Sequence, residues 1–172
     1  SKNTSDRKDV EISKHSHIIA DHIRAILFLT ADGAPPPGKG GRARLMRKLI
    51  REMLTSLKLL DIYDKAFISS LIDCLISLYS KEHIKMFVSK QRALDYIIHE
   101  SVSFDKTIEK GLRQLKRFSS FTDKSISGEE ILVLEKRFGV PMSLIEKEVH
   151  SLRLRFDLQE YLSAYSEWKS KI

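Results

Sequence analysis

Residues 31–60 read ADGAPPPGKGGRARLMRKLIREMLTSLKLL, and two signals in this stretch set the fold class. The first is a break. Residues 31–41 hold three of the chain's four prolines and four of its seven glycines. Pro35–Pro37 in a row keep the backbone extended, so no helix passes through them. The second signal starts at Arg42. Leu45, Leu49, Met53 and Leu57 make one apolar row, and Met46, Ile50 and Leu54 make its neighbour. Arg44, Arg47, Lys48, Arg51 and Lys58 fall opposite. That spacing predicts an amphipathic helix over 42–60 with a basic outer stripe.

Elsewhere turn residues are scarce, which excludes an all-β fold. Ile12, Ile19, Ile23, Ile26 and Leu27 predict a helix from Asp9 to Thr30. Asp61 or Asp64 caps a third helix to Ser80. Its apolar positions (Phe67, Ile68, Leu71, Ile72, Leu75, Ile76, Tyr79) circle the axis, which predicts a central, buried helix that supplies the core centre with the second. A fourth helix covers 81–100 with a break near Ser89. A fifth is capped by Ser103 and runs to Ser119, with a loop over 119–126. Ser127–Glu130 has the S-x-x-E form of a capping box, opening a helix that stops at Gly139; Ser143–Glu146 repeats it. A long final helix follows, with a break allowed where Leu152, Leu154 and Phe156 alternate like a strand. The expectation is an all-α protein, a single-domain bundle or irregular array of six to seven helices. Residues 1–8 form a polar tail and 9–172 the helical domain, with 127–172 a candidate C-terminal subdomain.

The single cysteine, Cys74, excludes an intramolecular disulfide and reads as a small buried thiol within AFISSLIDCLISLY. The N-terminus is polar, without a secretory signal, and no apolar run reaches the ~20 residues of a membrane span. An intracellular protein, cytoplasmic or nuclear, is expected. The net charge of +7 is uneven. Residues 1–60 hold 12 Lys/Arg against 6 Asp/Glu, whereas 126–172 hold 7 against 8.

Residues 39–51 carry six cations and no acid: Lys39, Arg42, Arg44, Arg47, Lys48 and Arg51. A plain solvated face is the ordinary meaning of such a run, but like charges at i,i+4 repel by a few tenths of a kcal/mol per pair, so a one-signed stripe is better explained by a bound polyanion. Phosphates of a nucleic acid suit it. Lys58 extends the stripe, and Lys106, Lys110, Arg113 and Arg117 form a second one. At the C-terminus Tyr161, Tyr165 and Trp168 either close the core or offer a docking edge to a partner.

Other constellations are weaker. Gly33–Lys39 matches seven positions of a phosphate-binding loop, but position 40 is Gly, and three prolines lack the N–H groups a phosphate cradle needs. A linker is the reading preferred. Leu134, Phe138, Gly139, Val140 and Ile145 resemble part of a helix-turn-helix, which implies DNA contact by the second helix. Glu135 stands where that motif wants a small residue, and Glu146 and Glu148 suit phosphates poorly. An ordinary two-helix corner is preferred there. His15, His17, Asp21 and His22 cluster early but read as solvent-facing, so no metal and no cofactor is expected. The function expected is a non-enzymatic protein that binds or packages nucleic acid, RNA or DNA, with its basic helix. The alternative is a helical module that binds an acidic protein or associates with itself.

Overall fold

The computed structural model describes residues 2–79, 84–121 and 125–171. Three residues of the loop expected at 119–126, and the junction at 80–83, lie outside these. The chain is all-α, with seven helices among the described residues: α1 (Lys2–Ala31), α2 (Gly41–Leu59), α3 (Lys65–Tyr79), α4 (Ile84–Phe121), α5 (Gly128–Lys136), α6 (Met142–Ser151) and α7 (Leu158–Ser170). Two short strands, β1 (Ser125–Ile126) and β2 (Arg155–Phe156), pair in parallel. The first helix takes in most of the segment read as a tail. The chain divides into two compact units, Ser1–Ser103 and Phe104–Ile172.

In the first unit the core lies between α1 and α2. Ile19, Ile23, Ile26 and Leu27 of α1 meet Met46, Ile50, Met53, Leu54 and Leu57 of α2, all buried. The connector between them is tied down. Gly33 adopts a left-handed φ of +76°, and the Gly33 and Ala34 N–H groups donate to Thr30 and Leu29 carbonyls at 3.1 and 2.9 Å. This closes the end of α1 as a Schellman turn. Asp61 does the same for α2, with N–H bonds from Asp61 to Lys58 and from Ile62 to Leu57. Farther along the connector, the Tyr96 hydroxyl donates to the Ala34 carbonyl at 3.3 Å, and the Gly38 N–H donates to Ala43 at 2.9 Å.

Two expectations for α3 and one for α4 need correction. Asp64 does cap α3, accepting from the Phe67 N–H at 3.0 Å. But α3 is not a central helix: only Ile68, Ile72 and Ile76 are buried. Phe67 and Leu78 are exposed, and so is Cys74. An all-round apolar helix buries only the face a neighbour covers, and here α1 covers one row. The fourth and fifth helices are one 38-residue helix. Its only glycine is Gly111 and it holds no proline. Ser89 is buried inside it, and the Ser101 hydroxyl donates back to the Ile98 carbonyl at 2.8 Å. Serine bonding backwards in this way sits within a helix without ending it.

The second unit packs α5 against α7 and builds its core from Phe104, Ile108, Leu115, Ile131, Leu134, Ile145 and Val149. The capping box forms as expected: Ser127 Oγ accepts from the Glu130 N–H, and Glu130 accepts from the Ser127 N–H. The second box does not, because Pro141 stands at the N-cap of α6, ahead of Ser143. The 152–156 break is real and carries β2. Two glycines let elements touch. A Cβ on Gly111 would lie 2.1 Å from Val140 Cγ2, and one on Gly128 would lie 2.3 Å from the Tyr161 backbone nitrogen. The second obstacle is backbone and cannot rotate away. Gly128→Ala is therefore expected to destabilise the second unit by about 2–3 kcal/mol, at the upper end of overpacking costs. Urea unfolding followed by Tyr and Trp fluorescence measures it.

Candidate nucleic-acid interface

Burial of one face of α2 forces its cations outward, but not uniformly. Lys39, Arg42 and Arg44 are exposed at the start of the helix, and among the described residues no carboxylate pairs with them. Gly40 stands at the N-cap, with no side-chain hydrogen bond to it and no acid in the first turn. The uncapped N–H groups and the positive end of the helix dipole thus add to three cations. One turn farther on the stripe is shared with carboxylates. Arg51 Nε donates to Glu100 Oε1 at 2.6 Å and Arg47 Nε to Glu100 Oε2 at 3.4 Å. Lys48 pairs with Glu52 at 3.8 Å. Lys58 lies over the Tyr63 ring, 4.0 Å from its centre. Of the stripe named from the sequence, Lys39 lies on the connector and the rest on α2, and together they form an open leading end and an internally paired remainder. The Glu100 contact spans 49 and 53 residues of chain, and no local spacing announces it.

In the second unit Lys106, Lys110, Arg113 and Arg117 are all exposed along α4. Arg113 pairs with Glu109 at 3.2 Å. Lys116, on the same stretch, reaches Glu148 of α6 at 3.6 Å.

The C-terminal aromatics form a ladder. The Phe156–Tyr161, Tyr161–Tyr165 and Tyr165–Trp168 ring centres lie 6.3, 6.0 and 5.9 Å apart. Tyr161 is buried, whereas Trp168 is exposed. Lys136 Nζ sits 4.6 Å from the Tyr165 ring centre and 5.0 Å from that of Trp168. A cation against ring faces at this range is favourable.

The early histidines are each occupied separately. Buried His15 bonds Ser56 Oγ at 3.1 Å, His17 bonds the Ser13 carbonyl at 2.8 Å, and His22 bonds Glu52 at 2.8 Å. No cluster of three metal-ligating side chains occurs among the described residues. Contrary to the solvent-facing expectation, His15 is buried. It faces Ser56, on the inner side of α2, which the alternation of apolar rows did not reveal. Residues 33–39 are the tied-down connector, with no strand before them. The helix pair 134–145 is a corner whose Glu135 accepts from the Tyr161 hydroxyl at 2.7 Å.

Residues 1–171 match the family described as tRNA synthetases class II (A). The chain belongs to this family. It is 31% identical over 152 residues to the alanine–tRNA ligase of Mycoplasma pneumoniae, covering 88% of this chain and 16% of that protein. That of Nitrosospira multiformis is 31% identical over 77% of this chain and 15% of its own length. That of Alkaliphilus metalliredigens is 25% identical over 98% of this chain and 19% of its own length. The chain spans about a sixth of the length of the curated relatives it matches.

Membership of a synthetase family overturns the expectation of a non-enzymatic packaging protein. The physical reason is that backbone binding is independent of sequence and looks alike in a packaging protein and an enzyme. A basic helix identifies an anion partner, not what is done to it. Of the membrane expectation, the described residues contain no helix long and apolar enough to span a bilayer.

In the second unit Tyr161 does structural work. Burial first, then its hydrogen bond to Glu135 and the charge of that carboxylate, hold the phenol well above the usual tyrosine range. The folded protein thus keeps a proton that the unfolded chain releases near pH 10. The stabilisation is complete below that pH and drains away as pH rises through the folded value. Tyr161→Phe is expected to lose about 1.5–3 kcal/mol at pH 7, the range for a hydrogen bond to a charged group. Above pH 10 the wild type should lose stability more steeply than the variant, and denaturant midpoints at pH 7, 10 and 11 measure both effects.

Proposed function

We propose that this chain is a tRNA-holding helical segment of an alanine–tRNA ligase, and that the leading end of α2 meets the phosphate backbone of tRNA. The relatives named alanine–tRNA ligase support the enzyme, and the attachment of alanine to tRNA belongs to the whole polypeptide. The observation that carries the backbone contact is the group Lys39, Arg42 and Arg44, exposed around an uncapped helix N-terminus. Phosphates are held by cations and by backbone N–H groups at helix starts. Both are present there, on a connector tied by Tyr96 to Ala34. Arg47, Lys48, Arg51 and Lys58 continue the positive face, and Lys106, Lys110, Arg113 and Arg117 supply further backbone contacts from α4. No aromatic residue interrupts 39–51, so contact there runs to phosphate and sugar more than to stacked bases. The aromatic ladder Tyr161–Tyr165–Trp168 serves the fold of the second unit, with Trp168 its open rung.

Binding of this kind falls as salt rises, each neutralised phosphate contributing about 0.7–0.9 to the log–log slope. Titration of labelled tRNA against the chain at three salt concentrations tests it, beside Arg42→Glu/Arg44→Glu. The variant is expected to bind more weakly, with a slope shallower by roughly 1.4–1.8, as two phosphate contacts disappear. Wild-type protein that binds no tRNA at low salt, or a variant that binds like wild type, sinks the reading.

A further inference from the structure

Glu100 is a carboxylate that the structure sets against two members of the α2 stripe. Its side chain is 3% exposed, while those of Arg47 and Arg51 are 31% and 29% exposed. A carboxylate this deeply buried needs a cationic partner, because leaving it unpaired is strongly unfavourable. One arginine would suffice, yet it engages two, one helical turn apart on α2. Both contacts use Nε, the donor nearest the side-chain stem, at 2.6 and 3.4 Å. A guanidinium is a rigid planar fork, so fixing Nε restricts where the rest of the group points. The i,i+4 repulsion between the arginines is also relieved by the anion between them. One carboxylate against two guanidiniums leaves the trio with a net positive charge.

Resting on the reading of α2 as the tRNA-facing helix, we propose that Glu100 is a positioning residue for RNA. It holds Arg47 and Arg51 side by side as a preset pair, so that a phosphate meets two oriented forks instead of two mobile side chains. Side chains ordered in advance lose less freedom on binding, and the saving appears as affinity. Charge alone makes the opposite prediction: removing Glu100's negative charge should strengthen binding to a polyanion.

The test is labelled tRNA titrated against the chain at three salt concentrations, with thermal melts by circular dichroism to verify folding. Glu100→Gln keeps size and removes the charge. Its affinity is expected to fall roughly tenfold, the scale of re-immobilising two side chains, although the net charge rises by one. Glu100→Asp keeps the charge but shortens the reach, and is also expected to bind more weakly, where charge alone predicts no change. It carries the comparison if Glu100→Gln does not fold. In an Arg47→Ala/Arg51→Ala background, Glu100→Gln should have no further effect, which a general loss of structure would not produce. A folded Glu100→Gln or Glu100→Asp protein that binds as tightly as wild type, or tighter, overturns the proposal. If Arg42→Glu/Arg44→Glu still weakens binding in that case, the α2 reading stands and Glu100 is only a tether between α2 and α4. If the wild type binds no tRNA, both fall together.

Discussion

A helix has one circumference, and α2 turns one face of it to α1. Met46, Ile50, Met53, Leu54 and Leu57 are all withdrawn from water on that side. Burying a side chain of this size is worth about 1.5–3 kcal/mol, so the rotational setting of α2 is the most strongly determined feature of the first unit. The charged side chains along the helix must then appear on the remaining arc, while Thr55 and Ser56 stay buried, hydrogen-bonded to Arg51 and His15. Arg44, Arg47, Lys48 and Arg51 cannot disperse and become a face. The connector completes the constraint, because three prolines and a Schellman turn at Gly33 leave little freedom in how α2 starts. The exposed group Lys39, Arg42 and Arg44 is in that sense a by-product of core packing.

The second unit is determined differently, by close approach. Val140 lies in the space where Gly111 lacks a side chain, and the start of α7 runs across Gly128. These contacts bring Tyr161 to Glu135 and set the aromatic ladder against Lys136. The helix-turn-helix resemblance fails here for a concrete reason. Glu135, at the position where that motif wants a small side chain, turns to Tyr161 of α7, and Glu148 of the supposed recognition helix is paired with Lys116. Both acids serve packing within the unit.

Signals confined to a few consecutive residues were legible in the sequence. The Pro/Gly break, the buried rows of α1 and α2, the Ser127–Glu130 capping box and the 152–156 interruption are all of this kind. Ser143–Glu146 shows the limit: the same letters did not cap, because Pro141 already starts the helix. What depends on distant partners was not legible. Periodicity says α3 is apolar all round, but only its neighbours decide that Leu78 is 72% exposed and Cys74 lies at the surface. Ser103 is a good cap by type, yet it lies inside a helix that nothing breaks. Glu100 lies about 50 residues from its arginines. Function lies at the same level: a row of cations shows a positive face, and only the relatives show the enzyme family it belongs to.

The ion pairs divide residues 39–51 into two parts. A fully unpaired row of cations on one helix would repel itself and remain mobile, adding long-range attraction but little geometry. A fully paired row would hold geometry and lose attraction. On α2 the two properties are separated along the axis. The leading turn stays unpaired beside the helix N-terminus, where the dipole field is strongest. One turn later the arginines share a buried carboxylate that restrains them without cancelling them. On the proposed reading, an approaching polyanion is drawn by the first group and registered by the second. That order follows from where α4 passes α2, because Glu100 can reach only the residues it faces.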